Sequence, residues 1–156
     1  MFHVKHILRI YKKGRRIMGR AIAVANKKGG VGKTTTAINL AACLAEKGKK
    51  VLAIDIDPQG NMTSGLGINK KKCKKTVYDL IIGECQLKDC AMKSVIDGVT
   101  VLPSNVDLAA AEIELIGLDK KEYILKGHID KVKDDYDYIV IDCPPSLNTL
   151  TVNAMT

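Results

Sequence analysis

The feature that most constrains this chain is a glycine-rich loop placed between a predicted strand and a predicted helix. Residues 21–26 (AIAVAN) form a short apolar run typical of a buried strand, and the loop KGGVGKTT at residues 28–35 comes next. Apolar side chains then recur at helical spacing from residue 34 to 47, and Gly48 ends the pattern. Because glycines let backbone N–H groups turn towards an anion at a helix N-terminus, this order of elements predicts an α/β fold with a phosphate-binding loop.

The loop contains the residue types that a nucleotide and its metal ion require. We expect the Lys33 ammonium to reach the β- and γ-phosphates and the Thr34 hydroxyl to ligate Mg²⁺. The usual pattern, G-x-x-x-x-G-K-[ST], would need glycine where this chain has Lys27, and a second lysine, Lys28, opens the loop instead. This is the deviant form of the motif, K-G-G-V-G-K-T-[ST]. The predicted nucleotide-binding residues are Lys28, Gly29, Gly30, Val31, Gly32, Lys33, Thr34 and Thr35.

Carboxylates are expected at the same edge of the sheet as this loop. Asp142 ends an apolar predicted strand, the position from which an acid holds Mg²⁺, usually through a water molecule. Asp57 follows a second buried strand, residues 51–56, where it can orient an attacking water while Asp55 supports the loop and the metal shell. The predicted metal site therefore consists of Thr34, Asp57 and Asp142.

The order of elements predicts a P-loop NTPase architecture, in which helices cover both faces of a mostly parallel sheet. Near-continuous apolar strands need such cover on both sides. The predicted strands are residues 21–26, 51–56, 99–102 and 138–142, and the predicted helices are residues 34–47, 77–82, 106–116 and 122–132.

Composition is that of one globular domain. The chain has 156 residues, with 46% hydrophobic and 27% charged residues, which argues against disorder and against a stapled miniprotein. Its apolar runs fall short of the roughly 20 residues that a membrane helix needs. We therefore expect no association with a membrane.

The net charge of +8 is concentrated at the start of the chain. Residues 1–17 carry six basic side chains and no acidic ones, so they form a basic extension. A secretion signal and a basic arm that contacts DNA or anionic lipid are alternatives. The pattern from Met18 onwards resembles a natural start, and we expect residues 1–17 to come from an upstream start that was assigned in error.

Two further features have a structural interpretation. The five cysteines are an odd number without a CxxC pair, which favours a reducing cytoplasm and predicts neither a disulfide framework nor a zinc site.

The basic run at residues 70–75 is interpreted as a solvated loop, with a DNA contact as the alternative.

Three segments of the chain resemble the ParA/Soj family of chromosome- and plasmid-partition ATPases. They are residues 26–67, 76–81 and 136–154. Within the wider group that includes MinD and the nitrogenase iron protein, the sequence DPQGN at residues 57–61 favours the partition branch. The lack of a suitably placed cysteine pair argues against an iron–sulfur carrier. The resemblance spans about residues 18–156, taken as the N-terminal part of a nucleotide-binding domain.

The resemblance implies a Mg²⁺-dependent ATPase whose cofactors are ATP and Mg²⁺. It implies that Lys28 crosses a dimer interface to the phosphates of the partner, and that Asp57 is the hydrolytic aspartate in a first switch loop. These two are the expected catalytic residues. Asp142, with residues 143–145, would form a second switch.

The resemblance also implies partners and a location. These are a second copy of the chain in an ATP-dependent homodimer, non-specific DNA in the full-length form, and a centromere-binding protein of the ParB type that stimulates hydrolysis. The protein is expected in the bacterial cytoplasm, associated with the nucleoid. A non-catalytic truncated fragment and a MinD-like positioning ATPase on a membrane are the alternatives.

This sequence departs from the family in three ways. Lys27 and Asn148 stand where the family usually has glutamine and glycine. Family members also continue well beyond Thr156, so we expect the sheet to be incomplete on its C-terminal side.

Overall fold

The structure is a computed structural model that describes residues 19–115, 117, 119–146 and 149–155. The predicted basic extension at residues 1–17, the start at Met18 and the departure at Asn148 lie outside the described residues. So do Thr156 and the predicted helical position Ile116.

The described residues contain one five-stranded sheet in the order β1-β5-β2-β4-β3. Its first four strands in that order are mutually parallel, and β3 is antiparallel to β4. The strands are β1 (Arg20–Val24), β2 (Val51–Asp55), β3 (Met92–Lys93), β4 (Val99–Leu102) and β5 (Tyr138–Asp142). All four predicted strands are confirmed, whereas β3 is too short for a periodic pattern to indicate it.

Helices connect the strands of the described part of the chain. They are α1 (Lys33–Glu46), α2 (Asn61–Gly65), α3 (Val77–Ile81), α4 (Leu87–Cys90), α5 (Leu108–Glu114), α6 (Ile124–Asp130) and α7 (Thr149–Met155). The helices expected at 106–116 and 122–132 begin later than predicted. In the second of these, a 3₁₀ turn at Lys121–Tyr123 takes up the first residues.

Successive residues of β2 pack into two different cores, one on each face of the sheet. Leu52 and Ile54 belong to the core beneath α3, α5, α6 and α7, whereas Val51 and Ala53 belong to the core beneath α1 and α2. All five residues of β2 are buried, as expected for a central parallel strand. The predicted fold class, with helices on both faces of a mostly parallel sheet, is therefore confirmed.

The cysteine prediction needs a correction at one pair. Cys85 and Cys90, on either side of the start of the short helix α4, are joined by a disulfide. Cys43, Cys73 and Cys143 are free thiols. Among the described residues, no helix has both the length and the apolar character needed to cross a membrane.

Candidate phosphate-binding site

The glycine loop leaves the end of β1 and closes at the first residue of α1. Gly30 and Gly32 have φ angles of 69° and 83°, in the left-handed region where glycine carries no steric penalty. The backbone N–H of Lys28 donates to Asn26 Oδ1 at 3.0 Å and fixes the entry to the loop. A Cβ atom added at Gly29, Gly30 or Gly32 would meet nothing within 4 Å. The loop therefore borders open space of the kind that phosphate oxygens need.

The two lysines of the loop have different environments. Lys33 is half-buried, and its Nζ donates to the backbone carbonyl of Lys28 at 3.2 Å, across the loop. The Lys28 side chain is exposed. An exposed ammonium is available to a group outside this chain, whereas Lys33 is held within its own loop.

Asp142 and Thr34 meet beside the loop. Asp142 lies opposite Val24 on β1 and opposite Asp55 on β2, so it is central at the carboxyl edge of the sheet. Thr34 Oγ1 donates a hydrogen bond of 2.7 Å to Asp142 Oδ2. The other carboxylate oxygen, Asp142 Oδ1, is buried without a hydrogen-bond partner among the described residues.

The pKa of Asp142 is raised to about 7, chiefly by burial and also by the negative charges of Asp55 and Asp57, while the Thr34 hydrogen bond and the Lys33 charge act in the opposite direction. An orphaned, buried carboxylate oxygen beside a hydroxyl is a ligand set that suits a hard cation such as Mg²⁺. No three His, Cys, Asp or Glu side chains in the described residues form a metal-binding group. The residues therefore fit an ion that takes its remaining ligands from phosphate and water.

The neighbouring thiol is not part of such a ligand set. Burial raises the pKa of Cys143 to about 12, with the Asp142 charge acting in the same direction. A thiol in this environment stays protonated at neutral pH, and only the thiolate is a good metal ligand.

Asp55 anchors the loop that carries Asp57. Its Oδ2 accepts from the backbone N–H and the hydroxyl of Thr63 at 2.8 and 2.7 Å, and its Oδ1 accepts from the N–H of Asp57 at 3.1 Å. Burial raises the pKa of Asp55 to about 6, while these three hydrogen bonds act in the opposite direction. Asp55 therefore supports the loop that carries Asp57, and its support of the metal shell stays a prediction.

Asp57 lies half-buried at the same edge of the sheet, and its charge acts on both Asp55 and Asp142. Its Oδ1 accepts from the backbone N–H of Gln59 at 2.9 Å, and its carbonyl accepts from the N–H of Gly60 at 2.9 Å. The structure thus brings the predicted residues Thr34, Asp57 and Asp142 to one edge.

Two residues of this edge are absent from the sequence prediction. Thr63 Oγ1 accepts from the backbone N–H of Ser104 at 3.0 Å and so connects the ends of β2 and β4. Ser104 is fully buried, and its Oγ has no hydrogen-bond partner among the described residues. Its position just after an apolar strand, the same signal that identified Asp57, could have indicated Ser104.

The sequence is similar to proteins of known name. Residues 19–156 match the family AAA_31, which is described as an AAA domain. The sporulation initiation inhibitor protein Soj of Bacillus subtilis is 52% identical over 139 residues, covering 89% of this chain and 55% of that protein. The chromosome partitioning protein ParA of Caulobacter vibrioides is 50% identical over 139 residues, covering 88% of this chain and 52% of that protein.

Solved structures with the same fold include one that holds a nucleotide. The cobyrinic acid a,c-diamide synthase from Mycobacterium smegmatis, with a bound ATP analogue and magnesium, matches with a TM-score of 0.84 at 43% identity. The match covers 87% of this chain and 55% of that one. The chain spans about half the length of the curated relatives that it matches.

Proposed function

The chain belongs to the AAA_31 family of AAA domains and is a homologue of ParA and Soj proteins. We propose that it binds and hydrolyses ATP with Mg²⁺ and acts as a dimerisation switch in chromosome or plasmid partition. The observation that carries this proposal is the 2.7 Å hydrogen bond from Thr34 Oγ1 to Asp142 Oδ2 beside the glycine loop, with Asp142 Oδ1 left unsatisfied. A hydroxyl and a free carboxylate oxygen at a phosphate loop are suited to Mg²⁺.

The loop residues would hold the nucleotide. In this proposal the backbone N–H groups of residues 29–35 donate to phosphate oxygens, and Lys33 leaves the Lys28 carbonyl to pair with the β- and γ-phosphates. Thr34 and Asp142 would hold Mg²⁺, Asp142 through water, with Asp57 near the same ion. Bound Mg²⁺ would neutralise charge that develops on the phosphates.

Asp57 would orient the attacking water. It is a half-buried carboxylate on a short loop that Asp55 fixes to the end of β2. A carboxylate held in this way loses little conformational entropy when it accepts a proton or a hydrogen bond from water.

Dimerisation and partner binding belong to the same proposal. The exposed ammonium of Lys28 would reach the phosphates in a second copy of the chain, so that dimerisation requires ATP. A form with the full length of the relatives would bind DNA non-specifically in the cytoplasm at the nucleoid. A ParB-type protein would stimulate hydrolysis and so release the full-length form from DNA.

The proposal is tested by phosphate release from Mg-ATP and by the variant Asp57→Ala. We expect this variant still to bind Mg-ATP, with a loss of affinity smaller than the loss of rate, and to release phosphate at least about tenfold more slowly. Asp97→Ala, at an exposed aspartate, is the matched control and should change neither quantity. Hydrolysis by Asp57→Ala at the unaltered rate would contradict the role of Asp57. If the unaltered chain neither binds nor hydrolyses ATP, the function itself is wrong.

A further inference from the structure

The basic run at residues 70–75 is not uniformly solvated. Lys71, Lys72 and Lys74 are exposed, as predicted, but Lys70 and Lys75 are half-buried. Lys75 pairs with Asp79 and Glu84, each at 3.0 Å. Lys70 makes a different contact, with the loop that carries Asp57.

Lys70 binds this loop through a backbone carbonyl. Its Nζ donates to Gln59 O at 2.7 Å, a short bond of the kind that charged donors make. The stem of Lys70 lies against Gly60, since a Cβ atom at Gly60 would be 2.7 Å from Lys70 Cδ and 2.8 Å from Ser104 O. Gly60 therefore permits the close approach, and its φ of 61° also favours glycine.

Gln59 links Lys70 to the Asp57 carboxylate. The N–H of Gln59 donates to Asp57 Oδ1 at 2.9 Å, and its carbonyl accepts from Lys70. On the other side of the loop, Asp55 Oδ1 accepts from the N–H of Asp57 at 3.1 Å. The loop is thus held from β2 by Asp55 and from the turn after α2 by Lys70.

We propose that Lys70 is a positioning residue for Asp57, which acts by fixing the Gln59 peptide whose N–H orients the Asp57 carboxylate. The inference rests on the proposed function, in which Asp57 orients the attacking water. Among the described residues, the Lys70 ammonium has one hydrogen bond, to this loop, and the proposal gives Lys70 no part in binding phosphate. Its loss should therefore change the rate of hydrolysis and leave nucleotide affinity unaltered.

Lys70→Met removes the ammonium and keeps most of the stem. We expect single-turnover hydrolysis of Mg-ATP to slow by about tenfold, the effect of one hydrogen bond to a charged group, with the Kd for Mg-ATP within about twofold of the unaltered value. Lys71→Met and Lys72→Met change the same charge in the same 3₁₀ turn, Lys70–Lys72, and should leave both quantities unchanged. Lys70→Arg keeps a charged donor and should restore most of the rate.

Amide hydrogen exchange of the same variants separates this inference from the proposed function. The amides of Gln59 and Gly60 should exchange about tenfold faster in Lys70→Met and at the unaltered rate in both control variants. Unchanged exchange in Lys70→Met, or unchanged hydrolysis in a chain that does hydrolyse ATP, would overturn the inference. If the unaltered chain hydrolyses no ATP, the proposed function fails and the role of Lys70 in hydrolysis fails with it. Exchange then shows whether Lys70 holds the loop at all.

Discussion

Asp142 carries a buried carboxylate oxygen that no described group satisfies, and its pKa is raised by burial to about 7 from an ordinary value of 3.8. In the unfolded chain the carboxyl group loses its proton near its ordinary pKa, whereas in the folded chain it keeps the proton until near neutrality. Between these two values the folded state therefore binds more protons, and stability falls as the pH rises. Above pH 7 the buried charge of Asp142 lowers the stability of the folded state by its full amount.

Asp142→Asn should remove that destabilisation, since asparagine keeps an acceptor for Thr34 and has no charge to bury. We expect the metal-free and nucleotide-free variant to be more stable than the unaltered chain at pH 8, by up to about 4 kcal/mol, and to gain little at pH 4. Urea unfolding at the two pH values measures the difference. Some pH dependence should persist in the variant, because the pKa of Asp55 is also raised.

The control for this experiment is Asp97→Asn, at an exposed aspartate. It should not change the pH dependence of unfolding. An Asp142→Asn variant that loses stability equally at pH 4 and pH 8 would show that the carboxylate carries no buried charge penalty.

The site is formed by the ends of the strands and by the loops that follow them. The 57–60 loop fits between Lys70 and Ser104 only because residue 60 has no side chain. Gly60→Ala adds both a left-handed backbone strain and a clash, so we expect it to lower the free energy of unfolding by about 2–4 kcal/mol. Urea unfolding with a constant m-value measures this effect.

Gly83→Ala is the matched control for Gly60→Ala. Gly83 has a φ of 85°, but a Cβ atom there would meet nothing within 4 Å. Gly83→Ala should lower the free energy of unfolding only by the backbone strain, about 1–2 kcal/mol. Equal costs at the two glycines would mean that the close approach of Lys70 and Ser104 to Gly60 is not rigid.

Local patterns explain which elements could be predicted from the sequence. The strand β5 and the helix α1 follow from an apolar run and from a helical period between glycines, signals contained within a few residues. β3 has two residues and pairs with β4 only in the folded sheet. The contact of Thr63 with Ser104 joins residues 41 positions apart, which no local pattern indicates. Acids at strand ends could be predicted because parallel strands gather them at one edge.

The proposed dimer of the whole molecule depends on Lys28, whose exposed ammonium has no hydrogen bond or ion pair with the described residues of its own loop. Lys28→Ala should abolish self-association in the presence of Mg²⁺ and a non-hydrolysable ATP analogue, while nucleotide affinity falls by no more than a fewfold. The reason is that Lys33 and the backbone N–H groups of the loop remain. Analytical ultracentrifugation measures the oligomeric state, and fluorescence titration measures affinity.

Lys27→Ala is the control, because Lys27 is the adjacent exposed lysine and its loss changes the net charge equally. It should dimerise as the unaltered chain does. Loss of dimerisation in both variants would point to a general charge effect, and dimerisation of Lys28→Ala would remove the proposed contact across the interface.

We propose that the glycine loop, Thr34 and Asp142 form one site for a nucleotide with Mg²⁺. Calorimetric titration of the chain with ATP, in Mg²⁺ and again in excess chelator, tests it most directly. We expect Mg²⁺ to strengthen ATP binding at least about tenfold. This gain should be lost in Thr34→Val and kept in Thr36→Val, a change at an exposed threonine outside the proposed ligand set. Binding of equal strength with and without Mg²⁺, or a gain that survives Thr34→Val, would contradict the site described above.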